Sequence, residues 1–146
     1  MTAKNLEKLK DYLSGLKEIR GRESFPIGAI LVDETDRKEV LKNQEFNNLL
    51  VIEIDDGHPD IVLEKLAGAI NSGFTALLNI GKVLPVKLMN FLISLAHGQT
   101  ALNLAGHEKP IFLDPSSIEG KVVMLMNKKT YDTLELQDTI SSVCRL

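Results

Sequence analysis

Along this chain, short apolar runs alternate with longer stretches in which apolar residues return every three or four positions. From about Ala3 to Arg20, Leu6, Leu9, Leu13, Leu16 and Ile19 follow that helical step, while Lys, Glu and Asp fill most other positions. Thr2 is placed to cap this helix. Its apolar stripe is narrow, closer to a two-position seam than to a broad core face. It therefore either packs on the chain's own sheet or docks on a partner or a second copy, which makes Leu6, Leu9, Leu13 and Leu16 candidate interface residues. Phe25 to Val32 reads as a buried strand, and a helix from Arg37 to Phe46 follows, capped by Thr35 or Asp36 and anchored by Val40 and Leu41. Leu49 to Ile54 is a second strand. The next helix runs from Pro59 or Asp60 to Asn71 and ends at Gly73, a left-handed C-cap residue.

Phe74 to Ile80 is short, mostly apolar and free of charge, as a strand covered on both faces should be. Gly81 and Pro85 punctuate the chain, and Leu84, Leu88, Phe91, Leu92 and Leu95 then form a helical stripe. Thr100 to Ala105 and Ile111 to Leu113 are weak short strands with hairpin character. Lys121 to Asn127 is the last clear strand, and a helix from Tyr131 or Asp132 to Val143 closes the pattern. Strands alternating with helices imply crossover connections. The expected fold is a single α/β domain over residues 1–146. It is a three-layer α/β/α sandwich with a mainly parallel sheet, P-loop NTPase-like or Rossmann-like.

Composition narrows the partners. The chain has 146 residues and a net charge of −3, with its basic residues scattered, so it has no electrostatic footprint for nucleic acid or an anionic membrane. Aromatic content of 5% without Trp argues against base-stacking platforms. Cys144 stands alone and cannot form an internal disulfide, which fits a reducing, cytoplasmic setting. No apolar run approaches the roughly 20 residues of a membrane span. The charged start of the chain, Met1 to Glu7, does not read as a secretory signal.

In an open parallel sheet, ligands bind beyond the carboxyl ends of the strands. Asp33, Glu34 and Asp36 follow the first strand there, Asp55, Asp56 and His58 the second, Asn79 the third, and Asn127 with Lys128 the last. Hard oxygen ligands of this kind suit a divalent cation such as magnesium. The same acids also suit helix capping, and Asp36 and Asp60 stand where caps belong. His58 as a general base would need an oriented partner and a nucleophile, and no Ser or Cys is placed by a motif.

The stretch from Gly73 to Asn127 resembles the second half of an AAA+ ATPase core. Its charge-free strand leads to Leu84-Pro85 and the helix with Met89-Asn90-Phe91-Leu92. Gly98 to Ala105 has hairpin character, and Lys121 to Asn127 is a strand ending in Asn. The resemblance implies that Asn127 corresponds to the sensor Asn. It puts Asn79 and Ile80 where that family carries the acids that hold magnesium and orient water. No stretch matches G-x-x-x-x-G-K-[ST]: before Gly81-Lys82 the upstream glycine is replaced by Ala76, and Val83 stands where Ser or Thr belongs. A more distant resemblance is to response-regulator receivers, through Ile30 to Glu34 and Leu50 to Asp55. Only one helix lies between those strands, where a receiver has helix, strand and helix.

These readings imply a non-enzymatic interaction or regulatory domain with a degenerate P-loop-like fold, no cofactor, and a protein partner or a second copy to assemble with. The alternative is a small-molecule or divalent-metal-dependent enzyme using the acids around Asp33, Asp55, Asp56 and His58. A receiver-like phospho-acceptor at Asp55 ranks below both.

Overall fold

The computed structural model describes residues 2–17, 25–42, 49–54, 57–98, 101–103, 108–113 and 121–146. In chain order the elements are α1 (Ala3–Lys17), β1 (Ile27–Leu31), α2 (Glu34–Lys42), β2 (Leu49–Glu53), α3 (Pro59–Asn71), β3 (Thr75–Asn79), α4 (Val86–Ala96), β4 (Ala101–Leu102), β5 (Ile111–Phe112), β6 (Lys121–Met126), α5 (Lys128–Leu134) and β7 (Ser142–Arg145). Five of the described strands form one parallel sheet in the order β2-β3-β6-β1-β7. The short β4 and β5 pair antiparallel as a separate hairpin.

Alternation along each strand divides the apolar residues between two layers. Ile27, Ala29 and Leu31 of β1, with Val122, Met124 and Met126 of β6, face α3, α4 and α5. Ile30 of β1, Leu77 of β3, and Val123 and Leu125 of β6 face α1 and α2. The result is the α/β/α sandwich that the periodicity predicts. The sheet's central strands are buried along their whole length, which is why they read as unbroken apolar runs.

Local signals account for several element ends. Thr2 Oγ1 accepts the Asn5 N–H at 3.1 Å and caps α1. Pro59 opens α3, where its missing N–H costs nothing. Gly73, at φ 82, takes the left-handed conformation that closes α3.

Two expectations are overturned. Leu9, Leu13 and Leu16 are buried against the chain's own sheet beside Val40 and Cys144, and Leu6 is half-buried. The leucine stripe is therefore core and is not free to meet a partner. Its narrowness reflects a helix lying close on the sheet: a Cβ at Gly28 would come within 2.1 Å of the Tyr12 hydroxyl. That hydroxyl sits 2.8 Å from Ser142 Oγ, and Lys8 Nζ donates to the Arg145 carbonyl, so α1 is tied to β7 at both ends of that strand.

The second correction concerns the C-terminal segment. Helix α5 starts at Lys128 and ends at Leu134, followed by Glu135 at φ 53. The chain then turns back to add β7 alongside β1. Leu136 and Ile140, which fit a helical stripe in sequence, instead plug the core beneath this turn.

Candidate functional site

The strand order decides which strand ends can cooperate. Between β1 and β2 lie β6 and β3. Three inter-strand steps of about 4.8 Å put their ends roughly 14 Å apart. Asp33 and His58 therefore follow strands that are not neighbours. Asp55 and Asp56 lie outside the described residues. His58 stands at the N-cap position of α3 without a side-chain capping bond.

The remaining polar residues fall into two groups. The first spans the ends of β2, β3 and β6 and centres on Arg37, one turn into α2. Arg37 is only 7% exposed. Its Nη1 donates to Asn79 Oδ1 and to the Ile80 carbonyl, both at 2.7 Å, with the Leu125 carbonyl at 3.4 Å. The Asn79 amide is thereby oriented, and its Nδ2 donates to Glu53 Oε2 at 2.9 Å and Oε1 at 3.1 Å. Glu34 Oε1 approaches Arg37 Nε to 3.3 Å, but off the N–H direction, so the contact is an ion pair without a hydrogen bond. Glu34 is itself largely exposed, which leaves that pair weak.

The second group lines a cleft of about 400 Å³ at the ends of β6, β1 and β7. Leu31 and Val32 form its apolar floor, and Asp33, Asn127, Lys128 and Arg145 its polar rim. The cleft arises because adjacent strands send their helices to opposite faces: α2 leaves β1 on one side and α5 leaves β6 on the other. This is the switch point at which open α/β sheets form crevices. Both polar residues between the helix starts are occupied in holding them. Asp33 Oδ1 accepts the Asp36 N–H at 2.8 Å, and Asn127 Oδ1 accepts the Thr130 N–H at 2.7 Å. Asp33 therefore caps α2, where Thr35 or Asp36 was expected. The Lys128 ammonium lies 4.0 Å from Asp132, one turn along α5.

Of the expected site residues, Asp33 and Asn127 share the cleft, and Glu34 and Asn79 meet through Arg37. Arg37, Glu53 and Arg145 were not anticipated. The signal for Arg37 was present: it precedes Val40 and Leu41 by three and four positions, which puts it on the buried stripe of α2. Among the described residues, no three His, Cys, Asp or Glu side chains group as metal ligands, and no helix is long and apolar enough to cross a membrane. No protein-family model matches this chain, and no curated protein sequence matches it either.

Proposed function

We propose that this chain is a non-enzymatic interaction or regulatory domain with a P-loop-like layout whose nucleotide-handling parts have been replaced by internal bonds. The observation that carries this reading is Arg37. Its guanidinium fills the space at the ends of β3 and β6 and is held by Asn79, the residue at the position of a magnesium-binding acid in the AAA+ resemblance. A positive charge fixed there disfavours a metal cation.

Three further features support the reading. The connection from β1 to α2 is only Val32 and Asp33, too short for a glycine-rich phosphate cradle between strand and helix. Asp33 and Asn127 each give their Oδ1 to a helix cap. The β4–β5 hairpin lies between α4 and β6, where the resemblance has its hairpin insertion.

Isothermal titration of the chain with Mg-ATP and with Mg-GTP tests the proposal. The expected result is no binding heat at micromolar affinity. Saturable micromolar binding of either nucleotide would overturn it.

A further inference from the structure

Strand β2 ends the sheet. It pairs with β3 on one side, and among the described residues no strand pairs with its other edge. Such an edge presents a row of backbone donors and acceptors that only another extended strand can satisfy in register. Natural edges are usually blunted by Lys, Pro or a bulge. Leu49-Leu50-Val51-Ile52-Glu53 contains neither Lys nor Pro, and its pairing with β3 is unbroken.

The side chains specify the occupant further. Leu50 and Val51 point to opposite faces of the sheet, and they are 41% and 39% exposed. The incoming strand must therefore be apolar on both faces at this edge. A strand of alternating polar and apolar residues would not meet that demand, whereas β2 itself does.

We infer that the occupant is β2 of a second copy, paired antiparallel about a two-fold axis perpendicular to the sheet through Val51. Directly opposed residues must share a face, so only registers that oppose residues of matching parity are allowed. Of these, the register centred on Val51 is the one that pairs all five residues of β2. Val51 meets Val51 of the second copy on one face, and Leu50 meets Ile52 on the other. The sole charge, Glu53, falls opposite Leu49 and away from its own counterpart, and its carboxylate is already engaged by Asn79. The contact is isologous and closed, so it yields a dimer with one continuous sheet and no further growth at this edge.

This inference rests on the interaction-domain reading and names its partner. Three measurements test it on the full chain. Light scattering after size exclusion should give the mass of a dimer for the wild type and of a monomer for Val51→Lys. Opposed residues in an antiparallel pair have Cα atoms about 4.5–5.5 Å apart, inside the range a disulfide accepts. Val51→Cys should therefore crosslink under mild oxidation. Glu53→Cys should not, because its two copies lie four residues apart along the pair, roughly 14 Å. The wild type, whose one cysteine, Cys144, is buried, serves as the baseline. A monomeric wild type overturns the inference. A dimer in which Val51→Cys crosslinks no better than Glu53→Cys also overturns it, while leaving the interaction reading in place. Nucleotide binding, in contrast, would remove that reading whatever the dimer does.

Discussion

Arg37 shows how one side chain can tie the ends of two strands together. A buried guanidinium is tolerated only when its donors find acceptors. Here Asn79, Ile80 and Leu125 supply acceptors to Nη1 from two strands at once, while Nε has the Glu34 ion pair alone. Arg37→Met keeps much of the bulk but leaves those acceptors without their donor. The expected loss is about 3 kcal/mol of folding stability, read as a lower urea midpoint. Tyr12 makes a second prediction at this scale. Burial pushes its phenol above the ordinary 10.0, with the Ser142 hydrogen bond pulling the other way. The folded chain therefore favours the neutral phenol. That contribution is complete below pH 10 and is lost as pH rises through the higher folded value. Urea midpoints measured from pH 9 upward should fall more steeply for the wild type than for Tyr12→Phe.

At the scale of elements, the helix starts flanking the cleft depend on two short side chains. Asp33 caps α2 and Asn127 caps α5. Asp33→Ala should cost about 1 kcal/mol in chemical denaturation, and Asp33→Asn should recover most of it, because an amide oxygen caps as well as a carboxylate. If Asp33 instead served a bound cation, the Asn variant would not be rescued in the presence of that cation. Elements were legible in the sequence wherever a period was sustained: α1, α3, α4 and the apolar strands all stand close to where their spacing puts them. The C-terminal segment was not legible. Leu136 and Ile140 stand at helical spacing, and only Glu135 in the left-handed region, with no Gly to announce it, turns the chain out of α5. The leucine seam of α1 was legible as a helix that either packs on the chain's own sheet or meets a partner, since narrowness of a stripe does not say what lies beneath it.

At the scale of the molecule, topology decides which strand ends can meet. Asp33 and His58 follow consecutive strands of the main sheet in chain order, and pattern alone could not show that two other strands stand between those strands. The same order brought Arg37 to Asn79, a pairing 42 positions apart in sequence. With Arg37 fixed at the ends of β3 and β6 and only Val32 and Asp33 between β1 and α2, adding nucleotide should leave the melting temperature unchanged, since only a ligand that binds the folded state raises it. The order has one more consequence, for the chain as it is made. The β2–β3 pair and α3 arise from one local stretch, but Ile27 in β1 finds its partner only at Val122 in β6. At ribosomal speeds of roughly 5–20 residues per second, β1 must wait on the order of ten seconds for that partner to be synthesised. During that interval an apolar Ile-Gly-Ala-Ile-Leu segment stands unpaired beside the exit tunnel, the kind of segment a nascent-chain chaperone grips.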